Sequence, residues 1–335
     1  MAATLPRRLT ALLALLAAAV SVTLVASASP AAADPEGGTK KLRNALETAA
    51  KGYDQAKTKL ASSKKRQTQL TEKLKQSEAS AKVLTGQVNE VANRLYQMGR
   101  ISTMSLLLNS ASPDNFIDRV QSLDVLAQID SGTLAQYQED IETSKKAKIA
   151  LDAEIIEQRK QVNVMARKKR EAELALAEVG GGAAGGFVSA NSPAAKAAPR
   201  NSDGSWPKES CTVKDPTSSG CITPRTLHAF QEAKADGFKR YTVCFSQRSS
   251  GEHPKGRACD FSAASGTFKN EAASGGDKSY GDSLAAYFVK NADELGVMYV
   301  IWFRQIWQPS TGWRAYSVSG GPAAVHTNHV HLSML

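Results

Sequence analysis

Four of the five histidines in this 335-residue chain stand in two short stretches. The first runs Ser250-Gly251-Glu252-His253-Pro254-Lys255-Gly256-Arg257-Ala258-Cys259-Asp260, and the second runs His326-Thr327-Asn328-His329-Val330-His331. A catalytic zinc site takes three protein ligands from imidazole and carboxylate groups and keeps one position open. His253 and Asp260 are separated by one loop and the start of a strand. His329 and His331, two apart in a strand pattern, point to the same face. Convergence of the two stretches would supply a ligand set and a spare base. Spacing alone leaves a second reading: surface histidines near the C-terminus, with Asp260 in a turn. His228, in a helical pattern far from both stretches, reads as a packing or surface residue.

The two stretches resemble the LAS group of zinc metallopeptidases, named for lysostaphin, D-Ala-D-Ala peptidases and sonic hedgehog. His253-x6-Asp260 fits its H-x(6)-D motif, and His329-Val330-His331 fits its H-x-H strand. Residues 201–335 as a whole also resemble a C-terminal domain of secreted actinobacterial proteins, through "GCITPRT", "GEHPKGRACDF", "IWFRQIW" and "HTNHVHLS". The resemblance implies that His253, Asp260 and His331 hold Zn2+. It makes His329 the catalytic histidine and His326 an accessory one. It gives Arg248 a role in stabilising an oxyanion or gripping a substrate carboxylate. Dipeptidases of the group carry a glutamate shortly before the last histidine. Here that stretch is Val325-His326-Thr327-Asn328, with no acid, so the resemblance favours a His-assisted endopeptidase.

The elements that must position these residues lie within 201–335. Thr223–Lys234 and Asp282–Leu295 read as helices. Tyr241–Phe245, Ala258–Phe261, Tyr299–Phe303 and His329–Leu332 read as strands, giving an α+β class with an antiparallel sheet. All four tryptophans are in this half; Trp302, Trp307, Trp313 and Tyr316 divide between core and a groove for substrate. The four cysteines are also here. An even number in an exported chain implies disulfides. Of three connectivities, Cys211–Cys221 would close a short loop and Cys244–Cys259 would join two adjacent strands. A four-cysteine zinc site lacks the C-x2-C spacing it requires.

Residues 180–200, rich in Gly, Ala, Ser and Pro, read as a flexible linker. Residues 38–179 read as a coiled-coil helical hairpin. In the first arm a 4/3 rhythm of seam residues runs from Leu42 to Met98. In the second it runs Leu134, Tyr137, Ile141, Ser144, Lys148, Leu151, Ile155, Gln158, Val162, Met165, Lys169, Ala172, Leu176, Val179. Polar seam positions (Ser63, Gln67, Ser77, Ser144) weaken the seam or fix its register. Between the arms, Ser105–Asp114 breaks the rhythm, and Asp114 is the expected cap of a new helix. The apolar residues Leu106, Leu107, Leu108, Phe116 and Ile117 form either a small helical knob or a docking surface for a membrane partner. With its "SLLLNSASPDNFIDRV" tip, this hairpin is similar to the regulatory coiled coils of secreted peptidoglycan hydrolases. That similarity implies a membrane division complex as partner.

The first 33 residues carry Arg7 and Arg8, an apolar run over Leu9–Ala26 and the small residues Ala31-Ala32-Ala33, the pattern of a secretory signal peptide cleaved after Ala33. The rival is an uncleaved anchor. No other segment is long and apolar enough to span, which excludes a multi-span membrane protein. The net charge of +10 suits an anionic partner. Export turns that partner from nucleic acid to the cell wall or membrane surface. The combined expectation is a secreted, cell-wall-associated zinc peptidase that cleaves peptidoglycan stem peptides and is regulated or positioned by its coiled coil. Two readings stand beside it: a non-catalytic module that holds wall peptide, and a coiled-coil activator of another hydrolase.

Overall fold

The structure, a computed structural model, describes residues 36–335 apart from 188 and 190. The signal segment expected over residues 1–33 lies outside them. Among the described residues no helix is long and apolar enough to cross a membrane.

Two long helices form the N-terminal half. Helix α1 spans Lys40–Leu108, 69 residues or about 100 Å. Its first turn is capped by Thr39, whose hydroxyl accepts from the Leu42 amide at 3.1 Å. Helix α2 spans Pro113–Ala177 and returns antiparallel. The cap of α2 is Ser112, whose Oγ accepts from the Asn115 amide at 3.2 Å, and Pro113 occupies the first helical position, where its missing N–H costs nothing. Asp114, the expected cap, instead lies inside the first turn. There its charge still favours the helix N-terminus. The break between the arms is also shorter than expected, because α1 continues to Leu108.

The polar seam residues pair across the two helices. Ser77 Oγ lies 2.8 Å from Ser144 Oγ, Gln158 Nε2 donates to Gln67 Oε1 at 2.9 Å, and Ser63 Oγ donates to Glu154 Oε2 at 2.5 Å. In α2 half of the expected seam is displaced by one residue. Asp140, Ala147 and Gln161 are buried, while the expected seam residues Ile155 and Val162 stay exposed. Ala147 takes the seam in place of the charged Lys148, which reaches outward to Glu78 at 2.8 Å, while Ala172 and Leu176 stay buried on the expected seam. In α1 the rhythm ends at Val91, for Leu95 is 64% exposed and Arg94 turns instead to Asp130 at 2.6 Å.

The C-terminal half is a seven-stranded sheet in the order β1-β8-β7-β6-β9-β5-β4. The strands are β1 (Gly180–Ala183), β4 (Thr242–Val243), β5 (Ala258–Ser262), β6 (Val297–Trp302), β7 (Gln305–Gln308), β8 (Gly312–Tyr316) and β9 (His329–Met334), paired antiparallel throughout. A separate two-stranded ribbon joins β2 (Val213–Lys214) to β3 (Cys221–Ile222). The α+β class with a long helical hairpin is therefore the observed architecture. Helices α3 (Pro224–Ala235), α4 (Gly275–Lys290) and α5 (Ala292–Leu295) accompany the sheet. The single helix expected over Asp282–Leu295 is two, interrupted at Asn291. Both expected disulfides are present, Cys211–Cys221 and Cys244–Cys259.

Period-2 alternation divides the sheet into two chemically different faces. Val330, Leu332 and Met334 of β9, with Cys259, Phe261, Val300 and Trp302, pack on Ala229, Leu284, Tyr287 and Phe288 of the helices. His329, His331 and Ser333 point the other way. On that second face Tyr299, Ile301, Ile306 and Tyr316 meet Leu42, Leu46, Ala49, Ala172 and Leu176 of the helical hairpin. Burying Leu42, Leu46 and Leu176 contributes roughly 1.5–3 kcal/mol each. The base of the hairpin therefore sits on the histidine-bearing face.

The segment 180–200, expected as a flexible linker, is instead bound to the domain at several points. Gly180–Ala183 pairs with β8. Phe187 packs edge-on against Trp313 at 5.1 Å between centroids. The Ala195 and Ala198 amides donate to Asn291 Oδ1 and the Glu294 carbonyl. Its backbone satisfies its hydrogen bonds on the sheet edge and α5, which composition alone does not reveal.

Candidate metal centre

Register builds the site. Strand β9 lies between β5 and β6, and Asp260 is directly opposite His331, which is opposite Ile301 on its other side. His329 faces Ser262 two pairs further along. His253 arrives on a single 3-10 turn, His253–Lys255, which ends at Gly256 in the left-handed region (φ 67°). A side chain at Gly256 would run into the Cys211 sulfur and the β3 backbone, so glycine alone lets the turn close onto the ribbon.

Three donor atoms converge. His331 Nδ1 is 2.8 Å from Asp260 Oδ1, His253 Nε2 is 3.2 Å from the same oxygen, and the two ring nitrogens are 3.4 Å apart. All three residues are buried. A tetrahedral zinc ion with bonds of about 2.0–2.1 Å would set its ligand atoms about 3.3 Å apart, close to these separations. Each ring is also held from behind. His253 Nδ1 donates to the Cys244 carbonyl, leaving Nε2 with a free lone pair. His331 Nε2 lies 2.8 Å from Ser333 Oγ, which turns Nδ1 toward Asp260. Fixing one nitrogen so that the other can ligate is how proteins prepare metal-binding imidazoles. The donor set fits zinc.

His329 Nε2 lies 3.4 Å from Asp260 Oδ1, but not in hydrogen-bonding geometry. Its Nδ1 is 2.7 Å from Asn328 Oδ1. Burial pushes the His329 pKa down to about 4, so the ring is neutral near pH 7; with Nδ1 donating to the Asn328 oxygen, Nε2 keeps its lone pair. His326 is fully buried, and among the described residues neither ring nitrogen has a hydrogen-bond partner. Burial drives its pKa well below the usual imidazole range. Its ring stands 4.9 Å from that of His329, on a backbone at φ 54° that a non-glycine residue seldom adopts. Burial would raise the Asp260 pKa, but the neighbouring imidazoles, His253 first, hold it well below the carboxylate range. Burial likewise opposes a charge on His253, and Asp260 outweighs it, raising the His253 pKa. Arg248 Nη2 lies 3.6 Å from Asp260 Oδ2. In this state Arg248 faces the carboxylate that the resemblance makes a ligand.

The structure thus brings together His253, Asp260, His326, His329, His331 and Arg248. His228 stands apart, its Nε2 2.8 Å from the Lys196 carbonyl. Trp302 is fully buried core, with Nε1 donating to Asp282 at 2.9 Å, and Tyr316 is buried under the hairpin. Sequence reasoning missed three participants. Tyr299 stacks on His331 with centroids 5.6 Å apart, and Ser333 holds the His331 ring. Position two residues along a strand from Ile301 and His331 could have signalled both. The third is Glu36. Its carboxylate offers an atom within 4.8 Å of ligand atoms of both His253 and His331. No spacing pattern marks it, since it precedes the site by more than two hundred residues.

A wide cleft of about 800 Å3 lies elsewhere, between α1 and the domain, lined by Asp54, Trp206, Arg225 and Arg257 among others. It holds none of the histidines. The model of the family described as "VldE, C-terminal domain" matches residues 218–327, about a third of the chain. The matched stretch includes His253, Asp260 and His326 and stops short of His329 and His331. Neither a curated protein nor a solved structure matches the chain.

Proposed function

We propose that the chain is an exported, zinc-dependent peptidase that cleaves peptide bonds in peptidoglycan stem peptides, with its helical hairpin as a regulatory or positioning arm. The observation that carries this reading is the buried convergence of His253 Nε2, Asp260 Oδ1 and His331 Nδ1. The two disulfides are compatible with an oxidising, extracytoplasmic location. The resemblance of the two motifs to LAS peptidases supports the substrate class, and the basic charge suits an anionic wall.

His253, Asp260 and His331 would hold the ion, with the Cys244 carbonyl and Ser333 hydroxyl keeping the rings in place. Zinc, when bound, supplies Lewis-acid polarisation of a peptide carbonyl and lowers the pKa of water toward about 7. His329, neutral near pH 7, would take a proton from the attacking water at Nε2 and return it to the leaving amine. Arg248 stands where it can neutralise negative charge developing beside Asp260.

The test is digestion of purified sacculi by the chain from Asp34 onward, with products resolved by mass. New peptide termini that vanish in His331→Ala are expected. No cleavage, either by this chain or by one also lacking residues 34–38, would contradict the peptidase. A second reading, a module that holds wall peptide without cutting it, is favoured by the covering of the site by the hairpin. It predicts retention on sacculi with no new termini.

A further inference from the structure

The segment ahead of α1 enters the histidine cluster. Glu36 is 1% exposed. Its Oε1 accepts from the main-chain amides of Glu252 and His253. Its Oε2 accepts from the Tyr299 hydroxyl at 3.1 Å, and its carbonyl accepts from the Tyr316 hydroxyl at 2.8 Å. Gly251, at φ 91°, leaves room for the carboxylate, which a Cβ there would strike. Arg43 fixes the turn behind it, donating to the Gly37 and Gly38 carbonyls at 2.8 and 3.0 Å and to Ser250 Oγ at 2.6 Å. These contacts hold one carboxylate, from a remote part of the chain, with an oxygen within 4.8 Å of a ring nitrogen of His253 and of one of His331. Asp260 Oδ1 lies beside the same two rings, 3.2 Å from His253 Nε2 and 2.8 Å from His331 Nδ1.

We propose that Glu36 is an internal fourth metal ligand, which completes the set of His253, Asp260 and His331 and closes the site until the segment is displaced. A catalytic zinc centre keeps its fourth position open, and a closed tetrahedral one does not turn over. The donors that hold Glu36, the Glu252 and His253 amides and the Tyr299 hydroxyl, then mark where a substrate's carbonyl or carboxylate oxygen binds once Glu36 has left. The inference rests on the metal-binding reading above.

The test uses the chain from Asp34 onward loaded with Co2+, whose visible absorption reports its ligands, and acetohydroxamate as a small metal-binding probe. Glu36→Gln and Glu36→Asp are compared with the wild type; the second keeps the charge but shortens the reach. It serves if the first does not fold. The expected result is an altered cobalt spectrum and at least about tenfold tighter probe binding in the variants, because the closed state reduces apparent affinity by the fraction of chains that are open. Loss of cobalt from a folded variant, with retention by the wild type, would equally mark Glu36 as a ligand. Unchanged spectra and equal probe affinity, with cobalt bound throughout, would overturn the role of Glu36 and leave the metal site standing. Cobalt bound by neither wild type nor variants would instead remove the metal reading, and Glu36's role with it.

Discussion

Ser333 and the Cys244 carbonyl matter because an imidazole can ligate only with the nitrogen its other contact leaves free. Ser333 Oγ meets His331 Nε2 at 2.8 Å, so its loss frees the ring to turn or change tautomer. Ser333→Ala is expected to lower zinc affinity about 10–100-fold in a chelator competition titration; unchanged affinity would remove this role. His329 differs from its neighbours. It lies near Asp260 but is not needed to complete the ligand set. His329→Ala is expected to retain one metal per chain and lose roughly 10²–10⁴-fold in turnover. If it loses the metal as well, His329 is a ligand and not a base. The clustering of His253, Asp260, His329 and His331 was legible because type, order and strand periodicity coincide within a few residues. Tyr299 and Ser333 were hidden in plain strand sequence, and Glu36 was beyond the reach of any local pattern.

At the scale of elements, β9 is the central piece. It places hydrophobic residues on one face and His329, His331 and Ser333 on the other, and β5 supplies Asp260 across the ladder. The Cys244–Cys259 disulfide ties the end of β4 to β5, closing a loop of sequence separation 15. Replacing both cysteines by alanine is expected to cost about 3 kcal/mol in urea unfolding. Zinc affinity should fall with it, because the Cys244 carbonyl orients His253; a stable variant with undiminished affinity would contradict that link. Four strands and the helix after Thr223 were legible to within a few residues, since burial and alternation are local, whereas the helix expected from Asp282 begins at Gly275 and the β7–β8 hairpin was not foreseen. The second coil arm was less legible: apolar residues at Ile155 and Val162 suggested a seam, whereas Ala147 and Gln161 are the residues buried. The glycine-rich segment read as a linker because its pairing with β8 depends on backbone groups, not on side chains.

For the whole molecule, the hairpin and the sheet share one interface over the site. Glu47 of α1 links them, accepting from Lys255 Nζ at 2.9 Å and Arg257 Nη2 at 2.5 Å. Burial would raise the Glu47 pKa, but hydrogen bonds from Lys51, Arg257 and Lys255 prevail and depress it strongly from 4.5. A depressed carboxylate stabilises the docked state fully above its undocked pKa. That contribution fades as pH falls from about 4.5 toward the docked value. The protection of β6 amides from hydrogen exchange, taken relative to the free-peptide rate at each pH, is therefore expected to fall below about pH 4.5. In Glu47→Gln it should be lower already at pH 7 and flatter with acid; identical profiles would show that Glu47 does not hold the hairpin down.

Binding of a metal by one buried centre, through residues drawn from both halves of the chain, can be read by X-ray absorption at the zinc edge of the loaded chain from Asp34 onward. About one zinc per chain is expected, with two imidazole nitrogens and two carboxylate oxygens, no sulfur, and loss of the signal in His331→Ala. Zinc that fails to bind, or that binds equally well without His331, would contradict it.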